Sequence, residues 1–325
     1  MNQSDFSFSR KHGLMLPSSD LRRSRDRPAV LTLGGSVSGH FKMEAVRPDG
    51  SRRFLAEFDN LITDIGLERW GTGAIIGWCR AGSGSTEPSV GDTSLAIPVA
   101  ATNNTVFNAY GAQASAPYFG WYTTTYRFAT GAAAGNISEV GIGWESTGST
   151  LWSRALVLDG EGEPTTVTVL SDEVLDVTYT LRLYPPLTDT TFALTMSGVE
   201  YTVTARAAYV TGVNAWCPYP LSQIGANPSH YPIVYAGTLG AITSTPSGTA
   251  NNGPLIGSPQ AYSATSHQRD ILHFWDLLYG NIGDVTSVVL PSSLGVYQFQ
   301  FSPTFNKIGT KQLSLTLRVS WARRP

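Results

Sequence analysis

"VTYTLRLY", residues 177–184, places Val177, Tyr179, Leu181 and Leu183 at every second position, with Thr178, Thr180 and Arg182 between them. A strand turns successive side chains to opposite faces, so the pattern describes one dry face and one wet face. The C-terminal "QLSLTLRVSW" (312–321) repeats it, setting Leu313, Leu315, Leu317, Val319 and Trp321 against Ser314, Thr316, Arg318 and Ser320. Strands with one wet face belong to antiparallel sheets, because the strands of helix-covered parallel sheets are apolar on both sides. Next to the first stretch, "TFALTMSGVEYTVTARAAYV" (191–210) reads as a hairpin turning at Ser197-Gly198. Further strands are expected at 29–34, 38–47, 52–58, 104–109, 119–128, 136–144, 151–158, 165–170 and 296–301. So many short strands predict an all-β, mainly antiparallel fold, built as one or two β-sandwich or jelly-roll-like domains.

Helix is scarce. "NLITDIGLERWG" (60–71) has Leu61, Ile62, Ile65 and Leu67 near helical spacing, Asn60 or Thr63 to cap it and Gly71 to end it. "TSHQRDILHFWDLLYGN" (265–281) predicts the other helix, with a Thr265/Gln268 capping box and an apolar stripe of Ile271, Leu272, Trp275 and Leu278. Irregular stretches rich in Gly, Ser, Pro and Asn fill 81–103, 212–230 and 243–264; loops of that length are functional or are ordered by neighbours. Pro185-Pro186 cannot continue a central strand. The expected division is a basic N-terminal arm (1–28), a β-sandwich domain (29–186) and a second β domain with long loops (187–325) that interlocks with the first if the C-terminal strand returns to it.

Charged residues make up only 14% of the 325, against roughly 25% in ordinary soluble domains, so the surface is finished with Ser, Thr, Asn and Gly. That composition suits β-structure and a subunit largely covered by neighbours. The net charge of −2 hides an asymmetry: Arg10, Lys11, Arg22, Arg23, Arg25 and Arg27 leave the arm net +3 and the remainder net −5. Dispersed basic residues without interleaved stacking aromatics are a poor nucleic-acid footprint, so these six are read as an assembly arm that orders against a partner subunit. Cys79 and Cys217 are expected as free, buried thiols of a protein made in a reducing compartment, and no membrane span is expected.

No residue set reads as catalytic, cofactor-binding or metal-binding. Glu139 and Glu145 share strand parity, as a glycosidase pair would, but so does any such pair. "DGEGE" (159–163) resembles a calcium loop only superficially, since the spacing and the bidentate Glu are missing; it suits a tight turn. Asp172, Glu173 and Asp176 are expected in solvated positions, paired with Arg182 or Arg154. His267 and His273 stand six apart on the predicted helix, on different faces. Aromatics offer more. Trp121, Tyr122, Trp216, Tyr219, Tyr231 and Tyr235 are candidates for either a sugar-stacking platform or interface packing.

Five stretches, "NLITDIGLERWG", "GSGSTEPSVGDTSLA", "YRFATGAAAGNISEVGIGW", "SRALVLDGEGEPTTVTVLSDEVLDVTYTLRLYPP" and "FNKIGTKQLSLTLRVSW", together resemble tailed-bacteriophage virion proteins of the tail-fibre, baseplate-associated or tail-appendage type. They cover most of 60–186 and the last 25 or so residues. The resemblance implies a non-enzymatic tail subunit, made in the host cytoplasm and located in the virion. It also implies tail or neck proteins as partners and a trimer or ring as the assembly. The alternative it allows is a module that recognises a host-surface saccharide.

Overall fold

A computed structural model describes residues 29–253 and 257–325. The arm residues Arg10, Lys11, Arg22, Arg23, Arg25 and Arg27 lie outside the described residues. The described residues form twenty-one strands and two short helices, and every strand pairing among them is antiparallel except one.

The largest sheet has eight strands and β1 (Ala29–Val46) as its axis. One edge of β1 pairs with β12 (Val174–Tyr184), from Ser36 opposite Tyr184 to Val46 opposite Val174. The other edge serves two partners in turn. Its first half runs parallel to β21 (Leu313–Arg323), Ala29 opposite Leu315, and its second half runs antiparallel to β2 (Arg52–Asp59). Beyond β12 lie β7 (Gly120–Arg127) and β6 (Thr105–Ala112); beyond β21 lie β18 (Gln268–Trp275) and β17 (Ser258–Pro259). The sheet therefore draws strands from both sides of Pro185-Pro186.

A five-stranded sheet runs β3 (Leu61–Ile62), β10 (Leu151–Leu156), β9 (Glu139–Gly143), β4 (Trp78–Gly82) and β5 (Pro98–Thr102). A six-stranded one runs β13 (Thr190–Met196), β14 (Val199–Ala208), β20 (Gly295–Lys307), β19 (Gly283–Ser292), β15 (Ile233–Tyr235) and β16 (Ala250–Asn252). The short strands β8 (Gly135–Ile137) and β11 (Val167–Val169) pair with each other.

Alternation places the core where the sequence puts it. Val177, Tyr179, Leu181 and Leu183 are buried, while Thr178, Thr180 and Arg182 face outward and the threonines join Thr125 and Thr123 at 2.9 and 2.8 Å. On the inner side, the Trp152 indole N–H of β10 donates to the Tyr179 hydroxyl at 2.7 Å, joining the five-stranded sheet to the large one. Trp70 meets Trp152 edge-on with centroids 5.6 Å apart. It ends helix α1 (Asp64–Trp70), where Thr63 is the N-cap and accepts from the Gly66 amide at 3.0 Å. The hairpin β13–β14 turns at Ser197 and Gly198, φ 51° and 79°, the two left-handed positions of a two-residue type I′ turn.

The helix expected at 265–281 is not formed. Gln268–Trp275 is strand β18, with Arg269, Ile271, His273 and Trp275 turned inward and Asp270 bound to Arg318 of β21 at 2.7 Å. Thr265 and His267 have φ 62° and 46°, so the supposed cap is a turn. The second helix is instead α2 (Val213–Trp216), a single turn in the irregular stretch 212–230.

His273 is thus a core residue of a strand, and desolvation pushes its pKa down to about 3. The unfolded chain binds this proton near pH 6.5 and the folded one does not, so stability falls as pH drops from 6.5 toward 3. Between pH 7.5 and 5 this linkage removes about 2 kcal/mol. The urea midpoint of the wild type is expected to fall over that range, and that of His273→Leu to fall clearly less; parallel profiles would contradict the assignment.

Candidate functional site

Glu139, Glu173 and Asp176 hold the fold together. Glu139 opens β9 and is fully buried. Its Oε1 accepts from the Gly84 and Ile97 amides at 3.1 and 2.7 Å, and its Oε2 from the Ala96 amide at 3.1 Å and Arg154 Nε at 2.8 Å. Arg154, buried on β10, also grips Asp92 at 2.7 Å and the Thr86 carbonyl at 2.8 Å. A carboxylate with four donors has no lone pair facing a substrate. Glu145 lies past the other end of β9, and its carbonyl accepts from Arg80 Nη2 at 2.6 Å.

Glu173 and Asp176 depart from the expected solvated positions. Both are buried, covered by arginines: Glu173 by Arg53 at 2.7 Å, Asp176 by Arg127 at 2.7 Å and Arg52 at 3.0 Å. The Arg53 bond, with the Leu170 amide behind it, holds the Glu173 carboxyl below its ordinary pKa. The expected partners are engaged elsewhere, Arg182 with Asp59 at 3.8 Å and Arg154 with Glu139. Asp159 accepts from the Glu161 and Glu163 amides at 2.9 and 3.0 Å and Gly162 has φ 87°, the tight turn read from the sequence. Cys79 and Cys217 are free and buried, and burial pushes the Cys217 thiol up to about 12.

The aromatic candidates divide. Trp216 is wholly buried: its indole N–H donates to the Ala208 carbonyl at 2.8 Å and its ring meets Tyr297 edge-on at 5.4 Å, so it is a core anchor and no stacking plate. Tyr235 is buried as well, and Tyr231 is exposed. Trp121 and Tyr122 are neighbours on β7 and therefore face opposite sides of the sheet. Tyr122 and Tyr219 come together, and Tyr110 joins them.

These three tyrosines line a cleft of about 330 Å³. One wall is the edge of the large sheet, where Tyr110 of β6 stands directly opposite Tyr122 of β7 on a shared face. The Tyr122 hydroxyl reaches Asn108 Oδ1 at 3.4 Å. The other wall is the strap from Asn214 to Ser229, which carries Tyr219, Ser222 and Ser229. Gly120 lets the strap lie against β7, since a Cβ there would overlap the Trp216 carbonyl. The strap is tied down on three sides: Ile224 N–H to the Trp70 carbonyl at 2.9 Å, Ile75 N–H to the Pro220 carbonyl at 2.9 Å, and Gly225 N–H to Ser293 Oγ at 2.9 Å. Burial raises the pKa of both Tyr122 and Tyr219, keeping their hydroxyls protonated. Tyr110 escaped the sequence reading because its place depends on register: only once "TVFNAYGA" is laid antiparallel on "GWYTTTYR" do Tyr110 and Tyr122 meet.

Comparison with protein-family models, with curated proteins and with solved structures gives no match in any of the three.

If the Arg154–Glu139 pair is structural, Arg154→Met is expected to cost about 3–5 kcal/mol, because it strands a buried carboxylate. Amide exchange over 84–97 should accelerate in the same variant, as this stretch loses its clamp. Unchanged unfolding and exchange would return the pair to the list of functional candidates.

Proposed function

We propose that this chain is a non-enzymatic structural subunit of a bacteriophage tail, a fibre-attachment, collar or baseplate component that joins neighbours through its N-terminal arm and an open sheet margin. One observation carries the association: two outer strands, consecutive in the chain, concentrate exposed apolar side chains. On β6, Val106 and Phe107 are 44 and 54% exposed, and on and beside β5, Val99 and Ile97 are 44 and 57% exposed. Among the described residues, each strand is hydrogen-bonded along one side only. A β-bulge between Thr105 and Phe107 interrupts the ladder at the start of β6. Outer strands that stay separate carry charge or proline along the edge; β5 opens with Pro98, but β6 carries neither, and its apolar edge suits a permanent neighbour.

The phage setting rests on the resemblance of the five sequence stretches, three of which meet at the Arg154–Glu139 clamp. A subunit of this sort needs rigid faces rather than a reactive centre. Glu139, Glu173 and Asp176 are spent on arginine pairs, consistent with that need.

A chain lacking residues 1–28 is expected to fold with an unchanged melting temperature and to fail to join particles. Phe107→Lys, on the exposed edge, should keep the fold and reduce incorporation at least tenfold. Normal incorporation of both variants in a complementation experiment would overturn the reading.

A further inference from the structure

We infer that the cleft between Tyr110, Tyr122 and Tyr219 is a binding site for a neutral sugar residue, such as the terminal hexose of a glycan. Its volume, about 330 Å³, lies at the small end of the range of ligand sites and suits one or two pyranose rings rather than a long chain. Three phenol rings give flat apolar plates with a polar rim, the combination that matches a pyranose, whose C–H face is apolar and whose edge carries hydroxyls. Asn214, Ser222 and Ser229 also line the cleft, and each side chain both donates and accepts. Sugar hydroxyls do the same, so a few such groups serve a ring that presents both functions at every carbon.

The lining also says what the site does not take. It contains no Lys, Arg, Asp or Glu, so a sialic or uronic acid or a phosphate would enter without a counter-charge. A proline-rich peptide is the other occupant tyrosine grooves accept, but it needs an extended trough, whereas a cleft of about 330 Å³ is at the small end of the range of ligand sites. Rigidity favours a small ligand further. Asn227, fully buried, donates to the Asn214 carbonyl at 3.0 Å and accepts from the Ser229 amide at 2.8 Å, so this part of the lining is set before anything binds. The inference concerns the chemistry of the cleft and stands apart from the proposed place of the chain in a particle.

The test uses the full chain and the methyl glycosides of glucose, galactose and mannose, with glucuronic acid and an octaproline peptide in parallel, read by saturation-transfer NMR and tyrosine fluorescence. At least one neutral glycoside should bind with a Kd on the order of millimolar, as expected for a ligand of a dozen heavy atoms. Tyr219→Ala and Asn214→Ala should each weaken it about tenfold or more, Tyr219→Phe clearly less, and Phe107→Lys not at all. No binding of any neutral glycoside at 100-fold this concentration, about 0.1 M, would overturn the inference. So would glycoside binding that survives both Tyr219→Ala and Tyr110→Ala, or preferential binding of octaproline. In particles, Tyr219→Ala is expected to be incorporated normally. Its exclusion from particles would make the cleft an assembly surface and overturn the inference while leaving the structural role intact.

Discussion

The desolvated ion pair of Arg154 and Glu139 sets the terms for much of the first half of the chain. Taking both charges out of water is costly, and the cost is offset only if every donor and acceptor is met. Arg154 therefore needs Asp92 and the Thr86 carbonyl, and Glu139 needs the amides of Gly84, Ala96 and Ile97. Those five partners all lie between positions 84 and 97. A long irregular segment with little regular structure of its own becomes as fixed as the strands beside it. Its far end leads into β5, so the outer margin of the five-stranded sheet inherits its position from a pair of buried charges.

The strands were legible because burial on one face leaves a period of two, and no other structure produces it over eight residues. "QRDILHFW" shows how that signal is masked. Its inward row is Arg269, Ile271, His273 and Trp275, two of which look polar, while Ile271, Leu272 and Trp275 also satisfy a helical stripe. A histidine that is buried uncharged behaves as a core residue, and nothing local distinguishes it from one that faces water. The burial of Glu139 was hidden for a related reason: its partners come from another strand and from a distant loop. Tyr122 and Tyr219 were among the aromatics singled out, whereas Tyr110 is visible only through pairing register, a non-local quantity.

The cleft shows how the two halves of the chain depend on each other. Tyr110 and Tyr122 belong to the large sheet, yet the strap opposite them is anchored by Trp216, which packs on the six-stranded sheet, and by Ser293 next to that sheet. Neither half alone would form both walls. The same interlocking is seen at Trp321, whose indole N–H donates to the Leu67 carbonyl at 2.9 Å and fixes α1 from the end of the chain. Pro185-Pro186 is thus a corner within an interwoven structure, and surfaces on either side of it share one rigid support.

The parallel pairing of β1 with β21 has a consequence for synthesis. Position 29 pairs with position 315, so the contact cannot exist until the intervening chain has left the ribosome. β2 follows β1 within a few residues and covers the second half of the same edge at once, while the first half, with Leu31 and Leu33, waits. Closing so long a loop is slow in proportion to the entropy it removes. Until β21 has been made, the first half of this edge lacks the strand that pairs with it among the described residues.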